Sequence, residues 1–494
     1  MADNLNDEYK IRLAKLENIR KEGVNPYPEK FDKIQPLAEI LSLALGTKIK
    51  TAGRLLTIRA MGKIVFCHIL DDSGRLQIVL QKDEVGEKNL EWFLKFFDPG
   101  DFIGLAGEVF KTKKGEVSIL VKDFVMLGKA LRPLPEKWHG LKDQEALYRQ
   151  RYLDLIANPE TRQRFLLRSN FIKLLRDFYW QQGFIEVETP ILTNTASGAL
   201  AKPFKTHHNA LNTDVYLRIA PETYLKECVV GGFEKVFEIA RCFRNEGMDP
   251  SHLQDFTMVE HYAAYWNYED NMNFTEKMFS FLIKELFGQL KIEIKDRQGK
   301  PAKVDFTPPW PKVSLAQIIK KDCGLDINQF TDAQALAEAI KAKKINIDGI
   351  NDLGLGNLID ALYKAVCRQK IIQPTFLIQH PIDLSPLARR NDKNPNIVDR
   401  FQLVVNGWEV VNAYSELVDS VDQRQRFAAQ AQAKAAGDLE AHGKDDEFVK
   451  ALEYGAPPIS GWGMGVDRLI AILTQQDNLR DVILFPLLRP EQSV

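Results

Sequence analysis

Hydrophobic and polar residues alternate in five short runs between residues 49 and 127. The runs are TAGRLLTIRA, IVFCHILDD, GRLQIVLQK, DFIGLAGEVFKT and GEVSILVKDFVML, and turns containing SG, PG and KKG separate them. Alternation with a period of two places one set of side chains on each face of a strand. Five such strands in about eighty residues predict a small antiparallel β-barrel, and the pattern leaves a β-sandwich open as the alternative.

The segments on either side of these strands follow other patterns. Apolar residues at helical spacing predict a short amphipathic helix in the N-terminal segment 1–44: Ile11, Leu13, Leu16 and Ile19. The stretch KALRPLPEKWHGLKDQE is rich in proline and charge, which predicts a linker over 129–160. With the strands assigned to 45–128, the chain divides into a helical segment, a barrel domain, a linker and a larger domain over 161–494.

The larger domain mixes helices with strands. A long helix is predicted over 161–182, ending at Gly183, and FIEVETPIL follows it as a strand. Further strand candidates follow one another with only loops between them: VYLRIA, KVFEIARCFR, DFTMVEHYAAY, TFLIQHP, RFQLVVNGWEVVNAYSEL and PISGWGMGV. This order favours a mostly antiparallel sheet flanked by helices. Residues from about 271 to 373 are more helical and more charged, and they predict an inserted subdomain in an α+β fold.

Composition and charge are those of a globular protein with two or three domains. The 494 residues are 45% hydrophobic and 27% charged, and a net charge of -1 does not by itself indicate a nucleic-acid partner. No apolar run approaches the ~18–20 residues of a membrane span, and we find no hydrophobic signal segment at the start. The five cysteines form no CxxC pair, so we expect reduced packing residues in a cytoplasmic protein.

One strand candidate carries a carboxylate on an aromatic face. Four of its side chains alternate and so point the same way: Phe256, Met258, Glu260 and Tyr262. Burying a carboxylate alone is costly, so Glu260 is expected to meet a positive group. That group is either a cationic ligand or a distant Lys or Arg in a structural ion pair. The run FRNEGMDPSHL just before the strand contains further charged candidates: Arg244, Glu246 and His252.

The sequence contains neither a GxxxxGK[ST] loop nor a GxGxxG after a strand, so any nucleotide must be held by other groups. Arg244 ends one strand candidate, and Arg468 follows the alternating glycines Gly461, Gly463 and Gly465. Alternate glycines remove the side chains from one face of a strand, which lets a flat ligand lie against the backbone. The planar guanidinium of arginine suits phosphate oxygens and can stack on a base.

A third cluster lies in WEVVNAYSEL. Asn412, Tyr414 and Glu416 share one strand parity, and Glu409 lies on the other. If all four serve one site, a β-bulge or a bend must lie between Glu409 and Asn412. Otherwise Glu409 faces a different pocket, such as a metal site. Glu222, just beyond the strand VYLRIA, is also a candidate for a helix N-terminal carboxylate favoured by the helix dipole.

Several of these runs resemble a known family. GFIEVETP, FRNEG with the following DFTMVEHY, and GWGMGVDRL resemble the three motifs of class II aminoacyl-tRNA synthetases, in order. APETYLK, VVGGFEKVFEI, HPIDLSPLARR, NAYSEL and RDVILFPLLRP narrow the resemblance to lysyl-tRNA synthetases of the bacterial type, from about residue 45 to the end. The resemblance implies an N-terminal OB-fold followed by a class II catalytic domain. It also implies a reaction in which lysine and ATP form lysyl-adenylate, and the lysyl group passes to the 3′ end of tRNA(Lys).

The resemblance also implies roles for individual residues. The residues implied to bind ATP are Arg244, Glu246, His252, Phe256, Glu409 and Arg468, of which Arg244 and Arg468 are the catalytic pair. The residues implied to bind lysine are Gly198, Glu222, Glu260, Tyr262, Asn412, Tyr414 and Glu416, with the three glutamates around the ammonium group. Magnesium is the implied cofactor, with Glu409 as one ligand. Gln402 stands where a second glutamate is expected, and a neutral amide is a weaker ligand for a hard cation.

The barrel resembles the anticodon-binding OB-fold of the same family. Phe66, Gln77 and Glu116 match its anticodon-reading positions, where an aromatic ring stacks on a base and polar groups read the base edge. The first long helix and motif 1 imply a homodimer. The implied partners are therefore tRNA(Lys), ATP, L-lysine and a second copy of the chain, with neither DNA nor a membrane.

Two departures from the family pattern and three rival functions remain. Ser251 stands in a loop that is usually more basic, and Trp462 stands where an aliphatic residue is common.

One rival is a lysine-activating paralogue that modifies a protein, but such relatives lack the barrel. An aspartyl- or asparaginyl-tRNA synthetase is disfavoured by the three glutamates. A catalytically idle RNA-binding or regulatory relative is disfavoured by the intact Arg244, Glu246 and Arg468.

Overall fold

The computed structural model describes residues 2–134, 143–195, 198–199, 201–435 and 445–490. The chain separates into two compact units, one over Met1–Lys142 and one over Asp143–Val494. No helix among the described residues is both long and apolar enough to cross a lipid bilayer.

The first unit is built around a closed five-stranded barrel. Its elements are α1 (Ala2–Lys21), α2 (Leu37–Ile40), β1 (Lys48–Met61), β2 (Ile64–Leu70), β3 (Arg75–Gln81), α3 (Lys82–Val85), α4 (Glu87–Phe96), β4 (Phe102–Lys111) and β5 (Val117–Gly128). The strand order is β1-β2-β3-β5-β4. The predicted barrel is therefore confirmed, and the sandwich alternative is excluded. β3 and β5 run parallel, whereas the other neighbours are antiparallel.

Alternation along the strands builds the interior of the barrel. In β2, Val65, Cys67 and Ile69 point inward and are fully buried. Ile19 of α1 and Leu37 of α2 join the same core. The N-terminal helices therefore share the hydrophobic core of the barrel.

The second unit opens with helices and the strands that follow them. These elements are α5 (Gln144–Arg149), α6 (Arg151–Ala157), α7 (Pro159–Gln181), β6 (Ile185–Glu186), β7 (Leu192–Thr193), β8 (Lys205–His208), β9 (Thr213–Leu217), α8 (Glu222–Val230), β10 (Lys235–Phe243), β11 (Asp255–Ala264) and α9 (Tyr268–Phe287). The remaining elements are β12 (Lys291–Lys295), β13 (Pro301–Asp305), β14 (Lys312–Ser314), α10 (Leu315–Cys323), α11 (Ala333–Ala342), α12 (Leu355–Val366), β15 (Thr375–Pro381), β16 (Ile397–Val405), β17 (Trp408–Ser415), α13 (Ser420–Ala435), α14 (Asp446–Glu453), β18 (Ile459–Gly465) and α15 (Val466–Leu473).

An eight-stranded sheet organises this unit in the order β14-β15-β16-β17-β18-β11-β10-β6. Only its outermost pairs, β14 with β15 and β10 with β6, are parallel, so the predicted mostly antiparallel sheet is confirmed. The main core lies between this sheet and helices α7, α9 and α15. Helices α7, α9 and α15 thus cover one face of the sheet, and α8 packs against part of the other face, on Val236, Tyr262 and Ile459.

Two regions differ in detail from the sequence expectations. Part of the stretch expected as a linker forms α5 and α6. The buried Arg151 of α6 donates hydrogen bonds to the carbonyl oxygens of Leu484 and Ile483, which fixes α6 to the C-terminal part of this unit. Within 271–373, α9 belongs to the main core, whereas α10, α11 and α12 pack into a core of their own. The separate helical subdomain is therefore shorter than the sequence pattern suggested.

Candidate active site

A cavity of about 320 Å³ opens on the sheet of the second unit, where β11, β17 and β18 lie side by side. All residues that were predicted to bind ATP or lysine line it except Glu416: Gly198, Glu222, Arg244, Glu246, His252, Phe256, Glu260, Tyr262, Glu409, Asn412, Tyr414 and Arg468. These residues lie up to 270 positions apart in the chain (198 to 468). The antiparallel sheet brings them together.

A β-bulge brings Glu409 to the same side as Asn412. Leu403 pairs with Val411 and Val404 pairs with Glu409, so Val410 is an extra residue between them. One extra residue reverses the strand parity, which is the condition that the sequence pattern required for a shared site. Glu409 and Asn412 consequently face one cavity.

The alternating glycines of β18 make room mainly for the protein's own side chains. A Cβ atom on Gly461 would overlap the Glu416 carboxylate and the Tyr262 ring. A Cβ atom on Gly463 would lie 3.4 Å from Cγ of Glu260, which is ordinary contact. The bare strand therefore lets the acidic side chains pack across it, and at Gly461 the space expected for a flat ligand is already filled.

One end of the cavity is acidic and nearly sealed from solvent. Glu222 begins α8, Glu260 lies in β11 and Glu416 follows β17, and each is at most 5% exposed. Glu222 accepts a hydrogen bond from the Tyr414 hydroxyl at 2.7 Å. A Cβ on Gly198 would lie 3.1 Å from that of Glu222, so Gly198 closes the same corner.

Lys226 is a partner in this region that the sequence reasoning missed. Its Nζ lies 2.6 Å from Oε1 of Glu222 and 2.5 Å from Oε2 of Glu416, and its side chain is 2% exposed. The sequence left open whether Glu260 forms a structural ion pair with a distant Lys or Arg. The structure shows such a pair with a lysine at the other two glutamates, Glu222 and Glu416. The Glu–Lys spacing of four residues was the available signal, but on a helix that spacing usually marks an exposed pair.

Glu260 has a different environment. Its Oε2 accepts a hydrogen bond from the Tyr262 hydroxyl at 3.1 Å, and no described Lys or Arg forms an ion pair with it. Burial raises the pKa of Glu260 to about 8, with a further contribution from the negative charge of Glu222. Burial also raises the pKa of Glu416, and the Lys226 ammonium opposes that rise. Of the three buried glutamates, Glu260 is thus the one without an ion-pair partner among the described residues.

The middle of the cavity contains an arginine that the sequence did not single out. Arg400 on β16 lines the cavity and donates from Nε to Oδ1 of Asn412 at 2.8 Å. It also donates to the Ser385 hydroxyl at 2.6 Å and the Leu384 carbonyl at 2.9 Å. These bonds hold the Asn412 amide in place. In the sequence, Arg400 is a single arginine in the run RFQLVV, and no pattern there distinguishes it from a strand residue that faces solvent.

The other end of the cavity is basic and aromatic. The Arg244 guanidinium lies 5.0 Å from the centroid of the Phe256 ring, and its Nε has no hydrogen-bond partner among the described residues. Arg468 donates to the backbone carbonyl of Glu409 at 3.2 Å. His252 lies nearer the solvent, with its Nδ1 2.7 Å from a carboxylate oxygen of Asp249. Both arginines thus line the same cavity as Glu222 and Glu260.

The donor set around Glu409 suits a cation that relies on ligands from a substrate. Among the described residues, no group of three His, Cys, Asp or Glu side chains could hold a metal ion. Gln402 is buried with its Oε1 3.3 Å from Nε2 of His380, and it does not line the cavity. Magnesium is commonly held by one or two carboxylates together with substrate phosphates, and Glu409 could be the one carboxylate in such a coordination shell.

The predicted anticodon-reading residues share one outer face of the barrel in the first unit. Nε2 of Gln77 donates to Glu116 at 3.0 Å, and its Oε1 accepts from the Ser118 hydroxyl at 3.0 Å. Phe66 lies two residues from His68 on β2, and His68 pairs across strands with Gln77. The Phe66 ring therefore lies on the same face as a hydrogen-bonded polar cluster, and His68, which the sequence did not single out, lies between them.

Comparisons with known proteins agree with this arrangement. A family model described as tRNA synthetases class II (D, K and N) matches residues 143–489, and one described as an OB-fold nucleic acid binding domain matches residues 49–127. Proteins named lysine–tRNA ligase are similar over nearly the whole chain. That of Thermosipho africanus is 46% identical, covering 97% of this chain and 95% of its own. Those of Carboxydothermus hydrogenoformans and Aquifex aeolicus are 46% and 48% identical, each over 98% of this chain and over 99% and 79% of their own. The chain therefore belongs to the class II tRNA synthetases and, within them, to the lysine–tRNA ligases.

Proposed function

We propose that the protein activates L-lysine with ATP to form lysyl-adenylate and then transfers the lysyl group to the 3′ end of tRNA(Lys). The main support is that a single cavity carries a buried acidic end and two arginines. The acidic end suits an ammonium side chain, whereas the carboxylate of an aspartate substrate would meet like charge there. The arginines suit the phosphates and the base of a nucleotide.

Activation needs alignment rather than a protein nucleophile. A carboxylate oxygen of lysine attacks the α-phosphorus of ATP, a new P–O bond forms, and pyrophosphate leaves. In the second step, a hydroxyl oxygen of the terminal ribose attacks the lysyl carbonyl carbon, and AMP leaves. Both steps build negative charge around the α-phosphate, where a fixed cation lowers the barrier. We assign that role to Arg244, whose Nε has no hydrogen-bond partner among the described residues.

The remaining nucleotide contacts follow from the basic end of the cavity. Phe256 and Arg468 would enclose the adenine ring, and Glu246 would accept a hydrogen bond from its amino group. His252 would reach the outer phosphates. Magnesium, when bound, would supply positive charge at those phosphates, with Glu409 as its carboxylate from the protein and Gln402 away from the cavity.

The acidic end would recognise lysine at both of its amino groups. Glu222, Glu260 and Glu416 would surround the side-chain ammonium, with Tyr262 beside them, and Gly198 would lie near the α-amino group. Asn412 and Tyr414 would hold the substrate between these two positions. The support is that the oxygen atoms Oε1 of Glu416 and Oε2 of Glu260 are free of protein cations among the described residues.

The barrel supports tRNA as the acceptor. Phe66, Gln77 and Glu116 lie on one outer face, where the ring would stack on an anticodon base and the polar groups would read its edge. Lysine anticodons centre on uridines, which are the expected targets. A paralogue that modifies a protein would not need this surface.

We also propose that the protein acts as a homodimer in the cytoplasm. Exposed apolar side chains lie on α7 and just after it, which supports a second copy packing there: Leu166, Trp180, Ile185, Ile191 and Leu192. The five unpaired cysteines support a reducing compartment.

ATP–pyrophosphate exchange tests the proposal when it is run with each of the twenty amino acids and followed by charging of tRNA. We expect exchange with lysine and transfer of lysine to tRNA(Lys). Exchange driven by aspartate or asparagine would overturn the substrate assignment. Exchange with lysine followed by transfer to a protein, without charging of tRNA, would overturn the acceptor.

A further inference from the structure

Lys226 is a buried charged group that neither reaction step uses. Its ammonium is enclosed by three aromatic rings, with centroids 5.8 Å (Tyr262), 5.7 Å (Tyr414) and 5.5 Å (Phe448) away. Burial lowers its pKa, but the carboxylates of Glu222 and Glu416 raise it by more, so the net pKa lies above the ordinary value for lysine. The group is therefore a permanent positive charge behind the acidic end of the cavity.

The Lys226 ammonium contacts one oxygen atom of each of two carboxylates. It contacts Oε1 of Glu222, which also accepts from the Tyr414 hydroxyl, and Oε2 of Glu416. The other oxygen of Glu416, Oε1, is buried without a hydrogen-bond partner and lies against Gly461, which lines the cavity. A buried carboxylate oxygen without a partner is costly, and a substrate cation would remove that cost.

The charges of this region match a free lysine. Glu222, Glu260 and Glu416 contribute three negative charges when ionised, and Lys226 contributes one positive charge, which leaves two negative charges. Lysine brings two ammonium groups, while its carboxylate would be met by Arg244. Without Lys226, Glu222 and Glu416 would have no cation between them, so one of these two carboxyl groups would take up a proton in addition to the one on Glu260.

We propose that Lys226 is a positioning residue for amino-acid recognition: it holds one oxygen of Glu222 and one of Glu416, so that the other oxygen of each carboxylate and Glu260 match the two ammonium groups of lysine. This inference rests on the proposed function. A purely structural buried ion pair is the rival explanation. It would affect folding without acting on lysine more than on ATP.

The variant Lys226→Met tests the proposal because it keeps the length of the side chain and removes its charge. In ATP–pyrophosphate exchange we expect the KM for lysine to rise about tenfold or more and the KM for ATP to stay within about threefold. Lys129→Met is the matched control, since Lys129 is also fully buried between two carboxylates, at 2.5 Å from Asp98 and 2.9 Å from Asp101. The control should lower stability and leave the KM for lysine unchanged.

A second variant keeps the test valid if Lys226→Met does not fold. Lys226→Met combined with Glu416→Gln removes both charges of one buried pair and leaves no unpaired charge at Glu416. We expect this protein to fold and to have a higher KM for lysine than Glu416→Gln alone, because Glu222 has also lost its contact with Lys226. The proposal would be overturned by a wild-type KM for lysine in Lys226→Met, by equal KM values for lysine in the double variant and Glu416→Gln, or by equal rises for lysine and ATP. Absence of lysine-dependent exchange in the wild type would instead overturn the proposed function itself, and this inference with it.

Discussion

Arg168 on α7 forms an ion pair with Asp467, the residue just before Arg468. Nη1 of Arg168 lies 2.6 Å from Oδ1 of Asp467, and the Asp467 side chain is 4% exposed. The second carboxylate oxygen of Asp467 accepts from the backbone N–H of Thr257, next to Phe256, at 2.8 Å. The Asp467 carboxylate thus links α7 to the chain next to Arg468 and to the chain next to Phe256, the two residues that we propose to enclose adenine.

Asp467→Asn should weaken this junction. The amide keeps an acceptor for Thr257 but loses the charge that pairs with Arg168, and breaking a buried pair costs about 3 kcal/mol. We expect a lower midpoint of thermal unfolding and a higher KM for ATP in pyrophosphate exchange. Asp177→Asn, which removes the exposed partner of Lys173 on the same helix, is the control and should change neither quantity. An unchanged KM for ATP in Asp467→Asn would show that the junction does not position the nucleotide site.

Arg244→Ala removes the cation that we assign to the α-phosphate. Losing one such group costs about 3–4 kcal/mol of transition-state stabilisation, so kcat/KM for exchange should fall by about 10²–10³. Arg424→Ala, at an exposed pair with Glu453, is the control and should behave as the wild type. Near-normal exchange in Arg244→Ala would contradict the assigned role.

Lysine binding should depend on pH through Glu260. Its pKa of about 8 lies above the ordinary 4.5, so the folded protein holds a proton there near neutral pH. The folded state then binds more protons than the unfolded state between about pH 4.5 and 8, and this group's contribution to stability falls as the pH rises through that window. A lysine cation favours the ionised form, so binding below pH 8 must release the proton.

We therefore expect the Kd of lysine to fall as the pH rises from 6.5 to 8 and to level off above that value. Calorimetric titration in buffers of different ionisation enthalpy measures the released proton directly. Glu260→Gln should bind lysine more weakly and lose this proton release. An equal release of protons in Glu260→Gln would assign the titrating group elsewhere.

Phe66→Ala should separate tRNA recognition from amino-acid activation. Loss of one stacking ring costs about 1–3 kcal/mol per base, so the KM for tRNA(Lys) should rise about 5- to 150-fold. Lysine-dependent pyrophosphate exchange, which needs no tRNA, should stay at the wild-type rate. Met61→Ala, at an exposed position of β1, is the control. A normal KM for tRNA in Phe66→Ala would remove this face of the barrel from the tRNA contact.

Local patterns predicted the elements of the fold because each depends on neighbouring residues. Alternation in β2 identified the barrel strands, and the helical period ending at Gly183, which has a φ of 77°, identified α7. The parallel pairing of β3 with β5 could not be predicted, since alternation is the same for either strand direction. The inserted subdomain was predicted to be too long because α9 has the same helical period of apolar residues as the helices that follow it.

The candidate site was predictable where the family motifs and strand parity both applied. The prediction that Glu409 shares the site depended on a β-bulge at Val410. Strand parity showed that such a bulge was needed, but it could not show that the bulge exists. Lys226 was missed because its partner Glu416 lies 190 positions further along the chain (226 to 416) and only the folded sheet brings the two together. Long-range ion pairs of this kind leave no periodic signal in a single sequence.

We propose that one cavity binds the ammonium group of lysine at its acidic end and the nucleotide at its basic end. A crystal structure with a non-hydrolysable sulfamoyl analogue of lysyl-adenylate would locate both groups at once. We predict the ε-amino nitrogen within hydrogen-bonding distance of the Glu260 and Glu416 carboxylates, and adenine between Phe256 and Arg468. An ε-amino group bound away from both glutamates, or adenine bound outside this cavity, would show that the two groups do not share this cavity.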